Sequence, residues 1–321
     1  MKKILNIILL LLSIFIVGCT KTPPISEGNQ EENNNQQEGN NNQQEEYTPP
    51  YKNNLKVYFI NVGQADCSLI ILPNGRTVLI DAGLDHATTF DENNFPSWEN
   101  IKKIFELENI YEIDYLIITH NHSDHYYYVS DIINNYYVKT VYMSGSTTTS
   151  YTYLDILNTI KNKKVTTKIV TVGFKILDEK DLTMQVVATQ QIDNPDDANS
   201  CSVMVKLTYG KRSFLFTGDA GYREGDAEPI ALNSGIDLKS DVLKVGHHGS
   251  TYSSGQEFLS KVRPQFAIIT SAKVTSTGHP HKAALNRLNT YCDYILQSKD
   301  DGTILFESNG NTLTYKTHIG E

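Results

Sequence analysis

A dense group of metal-binding side chains follows a strand-like segment in the first half of the chain. The apolar run 114–119 leads directly into segment 120–125, which reads His-Asn-His-Ser-Asp-His. Three imidazoles and a carboxylate would be costly to desolvate in a purely structural loop, whereas zinc, iron and manganese bind such groups. Because the first two histidines can point to one side of a turn, and the aspartate and the last histidine to an adjacent side, the spacing indicates two neighbouring metal positions.

Two later segments supply further candidate ligands. The strand-like run 214–218 is followed by Asp219, whose carboxylate could bridge two ions. The run 241–246 is followed by the pair His247-His248, and a glycine on either side of this pair lets the backbone bring an imidazole close to a metal. Since α/β proteins place their ligands at the ends of successive strands, these segments predict one shared pocket rim.

The N-terminal part of the sequence has the pattern of a lipoprotein. Residues 1–18 carry two lysines and then an apolar stretch of signal-peptide length, which ends at Cys19. The residues before Cys19 resemble the bacterial lipobox, in which the cysteine is acylated; the alternative is an uncleaved signal anchor. Residues 19–54 are rich in Asn, Gln and Glu without apolar periodicity, which predicts a disordered tether. We therefore expect an extracytoplasmic domain, residues 55–321, anchored by lipid to the cell membrane.

The sequence of this domain predicts alternating strands and helices. Runs rich in Val, Ile, Tyr and Phe predict strands at 55–61, 67–72, 76–80, 114–119, 201–209, 212–217, 241–246 and 266–271. Helix-like segments lie between them, at 97–109, 151–161, 224–232, 256–262 and 281–289. Asn74-Gly75 predicts one hairpin turn and Gly210 a second, so we expect mixed sheets with helices outside.

The order of the motifs resembles a known family. The motifs are Asn61-Val-Gly-Gln-Ala-Asp66, Ile80-Asp-Ala-Gly83, Thr119-His-Asn-His-Ser-Asp-His125, Phe216-Thr-Gly-Asp219, Leu243-Lys-Val-Gly-His-His-Gly-Ser250 and Gly278-His-Pro-His281. Together they resemble the metallo-β-lactamase superfamily, and within it the hydrolase domain of ComEC-type competence proteins. The resemblance covers essentially 55–321 and implies a four-layer αββα sandwich, with metal ions at one edge of two packed sheets.

The resemblance also implies a ligand set for one or two divalent ions, with zinc or manganese expected. By position, His120 and His122 would hold the first ion and Asp124 with His125 the second, while Asp219 would bridge them. One imidazole of the adjacent pair at 247–248 would complete the second position, and the motif leaves open which one.

Catalytic roles follow from the same resemblance. Asp124 would orient a hydroxide and accept its proton, while His247 or His248 would stabilise the developing oxyanion. His279 could approach the leaving group or a phosphate oxygen; alternatively, it caps or packs against the helix that follows.

Other residues are expected to support the ligands or to contact the substrate: Asp66, Asp81, Asn199, Ser202, Tyr126 and Ser250. Asp66 and Asp81 could orient histidines or merely form turns. Tyr126 could stack on a base or simply pack on the neighbouring helix. No histidine lies between segment 120–125 and Asp219, where many relatives have a third histidine. The first metal is therefore expected to be loosely held.

These features predict a metal-dependent hydrolase at the cell surface. We expect phosphodiesterase or nuclease-like activity on nucleic acid or phosphorylated surface polymers, because two ions clamp a phosphoryl group well. A β-lactam or lactone hydrolase is the alternative enzyme, and a non-enzymatic metal- or ligand-binding surface module is the alternative class. Asp plus Glu total 37 against 28 for Lys plus Arg. A basic face is typical of tight duplex binders, so we expect no tight binding of duplex nucleic acid.

Overall fold

A computed structural model describes residues 50–84, 96–193, 195 and 197–321. The predicted signal peptide, Cys19 and most of the predicted tether lie outside the described residues. Within the described ranges, no helix has the length and apolar character needed to cross a bilayer.

The described residues form fifteen strands and eight α-helices. The strands are β1 (Leu55–Phe59), β2 (Ser68–Ile71), β3 (Thr77–Ile80), β4 (Glu112–Ile118), β5 (Tyr137–Met143), β6 (Thr166–Ile169), β7 (Lys175–Glu179), β8 (Leu182–Ala188), β9 (Met204–Tyr209), β10 (Arg212–Phe216), β11 (Val242–Lys244), β12 (Phe266–Ile269), β13 (Tyr294–Gln297), β14 (Ile304–Ser308) and β15 (Leu313–Lys316). The helices are α1 (Ser97–Leu107), α2 (Ser123–Tyr126), α3 (Val129–Asn135), α4 (Tyr151–Lys163), α5 (Ala227–Asn233), α6 (Gln256–Val262), α7 (Lys282–Tyr291) and α8 (Ser298–Asp301).

The strands build two mixed sheets. The first sheet has the order β15-β14-β1-β2-β3-β4-β5-β6, and the second has the order β13-β12-β11-β10-β9-β8-β7. Strands β3 to β6 are parallel in the first sheet, as are β10 to β13 in the second, and the other neighbours are antiparallel. Parallel neighbours need a crossover connection, and a helix lies in each of these connections. Both predicted hairpins are confirmed, since β2–β3 and β9–β10 pair antiparallel.

The two sheets pack face to face around a central apolar core. Val57 and Phe59 of β1 lie in this core with Phe216 of β10, and the rings of Phe59 and Phe216 are 5.8 Å apart. Tyr58, between them in sequence, faces the other side of its sheet, where α1, α3 and α4 pack. Helices α5, α6 and α7 cover the outer face of the second sheet in the same way. Because successive strand residues alternate between two buried faces, the sequence reads as nearly continuous apolar runs, and the predicted αββα arrangement is confirmed.

Three chain segments leave the two sheets where the candidate ligands lie. Segment 120–125 follows the end of β4 in the first sheet. In the second sheet, Asp219 follows β10, and the pair at 247–248 lies in a 3₁₀ turn, Gly246–Gly249, after β11. Strands β10 and β11 are parallel, so their carboxyl ends share one sheet edge. The candidate ligands are therefore supplied by both sheets.

Candidate metal centre

Close backbone packing positions the His-rich segment. The backbone N–H of Asp66 donates to the carbonyl of Asp124 (3.0 Å), and the N–H of Ala82 donates to the carbonyl of His125 (2.9 Å). A Cβ atom on Gly83 would overlap the backbone of Asp124, so only glycine permits this approach. The Ile80–Gly83 motif thus acts as a backbone support for the histidines.

Four of the predicted ligands form a compact group, which we call the aspartate cluster: Asp124, His125, Asp219 and His248. One ligand atom from each lies within 4.8 Å of all the others. His248 Nε2 is 3.2 Å from Asp124 Oδ2, and His125 Nε2 is 3.1 Å from Asp219 Oδ1. His248 is 1% exposed, and its Nε2 is also 3.6 Å from Asp219 Oδ1. Of the adjacent histidine pair, His248 is therefore the member that lies in this cluster.

A second group, the histidine–asparagine set, lies beside the cluster: His120, His122, Asn199 and His247. His120 Nε2 and His122 Nδ1 are 3.0 Å apart, and His122 Nδ1 is 2.9 Å from Asn199 Oδ1. Asn199 Nδ2 lies 3.5 Å from His247 Nδ1. Asp219 connects the two groups, because its Oδ1 belongs to the cluster while its Oδ2 is 3.7 Å from His247 Nε2.

Hydrogen bonds fix the ring orientation of two cluster histidines. His125 Nδ1 is 2.7 Å from the carboxylate of Asp81, and His248 Nδ1 is 2.7 Å from the backbone carbonyl of Thr270. Both partners accept only, so each Nδ1 carries the proton and donates it. In the neutral ring, each Nε2 then presents its lone pair to the cluster, which is the arrangement that metal-binding histidines require.

Thr119 performs a similar role for His120. The hydroxyl of Thr119 donates to Asp81 Oδ2 (2.7 Å), and His120 Nδ1 lies 3.1 Å from the hydroxyl oxygen, Thr119 Oγ1. Because the hydroxyl proton is already used, Nδ1–H of His120 donates to Thr119 and Nε2 keeps its lone pair. Asp81 thus orients His125 directly and His120 through Thr119, which favours the orienting role for Asp81 over a turn-forming one.

Two buried polar atoms without a hydrogen-bond partner in the described part of the chain indicate that a cation fits the cluster. His125 Nε2 and Asp219 Oδ1 make no hydrogen bond to the described residues, because their 3.1 Å approach lacks hydrogen-bond geometry. Leaving such atoms unpaired in a protein interior is costly. A divalent cation ligated by both atoms, with Asp124 and His248, would satisfy them, so the residues present fit a metal ion.

The charges of the cluster act on one another strongly. Burial raises the pKa of Asp219, but the neighbouring His125, His248 and His247 outweigh it and hold that pKa well below its usual value. Burial lowers the pKa of His120, and repulsion from His125 and His122 lowers it further. Burial lowers the pKa of His125, but Asp219, Asp81 and Asp124 outweigh it and raise that pKa well above its usual value. An ionised Asp219 and a neutral His120 are the states that a metal ligand needs, and a cation bound in the cluster would take the place of the extra proton on His125.

A buried lysine supports the centre from behind. Lys244, 2% exposed at the end of β11, makes an ion pair with Asp66, and its Nζ also donates to the carbonyl of Gly218 (3.3 Å). Asp66 in turn accepts a hydrogen bond from the hydroxyl of Thr270, whose carbonyl holds His248. Sequence reasoning did not select Lys244, Thr119 or Thr270. The available signal for Lys244 was a charged residue inside an apolar strand segment.

The backbone of the histidine pair explains the different positions of its two rings. His247 and His248 have φ values of 50° and 51°, in the left-handed region that costs an L-residue about 1–2 kcal/mol. The ring of His248 is turned inwards, whereas the side chain of His247 is 32% exposed. Glu228 and Arg287 hold the following loop: the carboxylate of Glu228 accepts the N–H groups of Ser254 and Gly255, and Arg287 donates to carbonyls of the same loop.

An open pocket of about 210 Å³ gives access to the cluster. Asp124, His247 and His279 line it together with Gln64. His279 Nδ1 lies 3.3 Å from the amide nitrogen of Gln64 and accepts its hydrogen. Burial and the nearby His248 and His247 lower the pKa of His279 to about 3, so its ring is neutral at neutral pH. The remaining N–H of that ring can donate to a bound molecule.

Three predicted residues have structural surroundings. Tyr126 is 3% exposed, lies in the apolar core beside α4, and its hydroxyl is 3.0 Å from Ser150 Oγ. Ser202 Oγ accepts the backbone N–H of Asp219 (3.2 Å), and Ser250 Oγ accepts that of Tyr252 (3.3 Å). These positions favour packing over base stacking for Tyr126, and loop support over substrate contact for the two serines.

Comparison with known proteins identifies the family. Residues 60–270 match the sequence profile of the Metallo-beta-lactamase superfamily, and the chain belongs to that superfamily. The ComE operon protein 3 of Bacillus subtilis is 29% identical over 277 residues, which are 83% of this chain and 34% of that protein. The Recombination protein 2 of Haemophilus influenzae is 30% identical over 255 residues, which are 79% and 29% of the respective chains. The predicted resemblance is confirmed, and the chain spans about a third of the length of these relatives.

A solved structure supports the fold. The metallo-beta-lactamase fold protein YhfI from Bacillus subtilis superposes with a TM-score of 0.50 and 13% identity, covering 80% of this chain and all of that one. The fold and the His/Asp cluster together imply divalent metal ions.

Proposed function

We propose that this chain is a metal-dependent hydrolase of phosphodiester bonds. One observation carries the proposal. The carboxylate of Asp219 contacts His125 of the aspartate cluster through Oδ1 and His247 of the histidine–asparagine set through Oδ2, so it joins the two groups. Two adjacent cation positions joined by one carboxylate can clamp a phosphoryl group on both sides. A divalent ion bound there would supply Lewis acidity, which lowers the pKa of a water towards ~7 and stabilises negative charge on a phosphoryl oxygen.

The residues around the pocket would perform the remaining chemistry. Asp124 lines the pocket with a side chain that is 14% exposed, so it can orient the attacking water and accept its proton. His279 donates its free N–H to a phosphate oxygen or to the leaving group. The half-buried His247, whose ring lies 5.3 Å from that of His279, would stabilise developing charge beside it.

The relatives and the charge of the chain support a phosphodiester as the substrate class. One relative is named for recombination, a process that acts on nucleic acid, and this favours a phosphodiester substrate. The chain carries a formal net charge of -9. Such a chain fits transient cleavage of single strands or phosphorylated surface polymers better than tight binding of duplexes.

The proposal places this activity outside the cytoplasm. Acylation of Cys19 would anchor the chain to the cell membrane, and residues 19–54 would hold the domain, residues 55–321, away from the bilayer. Labelling with a fatty-acid analogue tests this directly: the full chain should incorporate label, and a Cys19→Ala variant should not. Equal incorporation in both would contradict the anchor.

Hydrolysis of bis(p-nitrophenyl) phosphate by the full chain tests the enzyme. We expect turnover with manganese or zinc and its loss in His122→Ala, while the control His318→Ala retains it, because His318 is exposed and pairs only with Glu321 among the described residues. Nitrocefin and a lactone serve as comparison substrates. Inactivity towards the diester across divalent metals, or faster turnover of nitrocefin, would reject the proposed reaction.

A further inference from the structure

The amide oxygen of Asn199 faces the imidazole pair of His120 and His122. Its Oδ1 lies 2.9 Å from His122 Nδ1, and His122 Nδ1 lies 3.0 Å from His120 Nε2. Three atoms with ligand chemistry therefore face one another. His120 Nε2 holds a lone pair, since the other nitrogen of that ring donates to Thr119.

At most one hydrogen lies between these three atoms, and two acceptors would have to share it. His122 Nδ1 carries at most one hydrogen, and both of its neighbours, His120 Nε2 and Asn199 Oδ1, are acceptors. If the proton of His122 is on its other nitrogen, three lone pairs face one another. A cation at this point removes the conflict, because imidazole nitrogens and amide oxygens are both metal ligands.

The orientation of the Asn199 amide is fixed by its surroundings. Its Nδ2 lies 3.5 Å from His247 Nδ1 and donates to it, which directs Oδ1 towards His122. The backbone N–H of Asn199 donates to Asp197 Oδ1 (3.0 Å), and its carbonyl accepts the N–H of Ser202 (3.0 Å). Asn199 is buried, so this 3₁₀ turn presents a positioned oxygen rather than a mobile side chain.

We propose that Asn199 Oδ1 is a ligand of the cation held by His120 and His122, an inference that rests on the metal centre of the proposed function. Two imidazoles and an amide oxygen make a harder donor set than three imidazoles. Carbonyl and carboxylate oxygens suit manganese and magnesium, whereas zinc prefers nitrogen and sulfur. Asn199 therefore shifts this position from zinc towards manganese, while the aspartate cluster binds either ion.

Metal titration of the full chain tests this role without any substrate. Free Mn²⁺ is followed by electron paramagnetic resonance, and Zn²⁺ by competition with a chromophoric chelator. The variants are Asn199→Ala and Asn199→His. The control is Ser200→Ala, because Ser200 lies in the same turn and its half-buried hydroxyl donates to the carbonyl of Asp197.

The unsubstituted chain and Ser200→Ala should each bind two Mn²⁺ ions. Asn199→Ala should lose at least ~10-fold in affinity for one of them, since even the partners behind metal ligands are worth 10–100-fold. Asn199→His should raise the Zn²⁺ affinity of that position relative to Mn²⁺ by ~10-fold or more. Equal Mn²⁺ binding by Asn199→Ala and Ser200→Ala would overturn the inference.

The result of the metal titration can be distinguished from the result of the diester assay that tests the proposed reaction. Metal binding that depends on Asn199 in a chain that cleaves no diester would reject the substrate and retain the ligand. If the chain cleaves the diester but its metal binding does not depend on Asn199, the ligand role of Asn199 is rejected and the proposed reaction is retained.

Discussion

The two halves of the metal centre are built from different kinds of contact. In the aspartate cluster, each imidazole is held by an acceptor that cannot rotate away, namely the buried carboxylate of Asp81 or a backbone carbonyl. In the histidine–asparagine set, the supports are a hydroxyl and an amide, and His247 is partly open to solvent. The cluster thus has the stronger charge and the firmer positioning. If the proposed function holds, the difference indicates that one cation position would serve retention of the ion, and the other would serve choice of metal and contact with substrate.

Removal of the shared carboxylate should have the largest effect, because it breaks both halves together. Asp219→Asn removes one negative charge, which acts both on the aspartate cluster and on His247. We expect diester turnover to fall by at least ~10³-fold, well beyond the 10–100-fold cost of altering residues behind a metal ligand. Initial rates and elemental analysis measure this against Asp178→Asn, an exposed residue paired with Lys175. Retention of both ions by Asp219→Asn would show that this carboxylate does not join the aspartate cluster to the histidine–asparagine set.

The next largest effect concerns the pH dependence of the free energy of unfolding, through the loop that follows the histidine pair. Burial raises the pKa of Glu228 to about 8, although the N–H groups of Gly255 and Ser254 and the charge of Arg287 oppose the rise. The folded protein then binds one more proton than the unfolded chain between the ordinary pKa of glutamate, about 4.5, and about 8. The associated stability is complete below the lower value and is lost as pH rises through the higher one.

The loss of unfolding free energy from this residue should be on the order of 3 kcal/mol. Urea titrations from pH 5 to pH 8.5 would measure it as a slope that Glu228→Gln lacks, even if that variant is less stable throughout. The exposed Glu257→Gln should keep the slope. A slope unchanged in Glu228→Gln would refute the assignment.

Asp81→Asn should weaken the cluster more than the neighbouring set. The variant turns an amide N–H₂ or a weaker acceptor towards His125 Nδ1, which then loses its charged partner. The affinity of the tighter Mn²⁺ position should fall by ~10–100-fold. Mn²⁺ titration by paramagnetic resonance checks this, with Asp178→Asn as control. An affinity within threefold of the unsubstituted chain would show that Asp81 does not orient the ligand.

Thr119→Val should give the smallest effect and act on the other half. Valine keeps the shape but removes the oxygen that accepts Nδ1–H of His120, while His125 keeps its contact with Asp81. We expect the weaker Mn²⁺ position to lose ~3–10-fold, less than for Asp81 because a neutral acceptor is lost. The tighter position should lose less, because His125 keeps its carboxylate partner, although the hydroxyl also donates to Asp81 and lies 3.3 Å from His125 Nδ1. The exposed Thr167→Val on β6 is the control, and equal weakening of both positions would contradict separate support.

Much of the fold could be predicted because local signals were strong. Asn74-Gly75 between two apolar runs marks a hairpin with few alternatives, and the structure has β2 and β3 paired there. The edge strand β6 was not predicted, since all of its residues are exposed and no apolar pattern marks it. Strands β5, β7, β8 and β13 to β15 were also absent from the predicted strands.

The site was predictable in its residue types but not in its assignments. Segment 120–125 and Asp219 converge as expected, because each follows a strand end. The sequence could not decide between His247 and His248, since two successive left-handed residues set the direction of each ring. The partners of Lys244 lie far away in sequence, so no local pattern indicated its ion pair with Asp66.

The candidate ligands come from both sheets, and this arrangement links metal binding to resistance against unfolding. Asp124 and His125 follow a strand of one sheet, whereas Asp219 and His248 follow strands of the other. A bound ion would therefore cross-link the two layers and raise the barrier to separating them. Chelation of the ion should therefore accelerate digestion by added proteases. The ion would then contribute to kinetic stability as well as to hydrolysis.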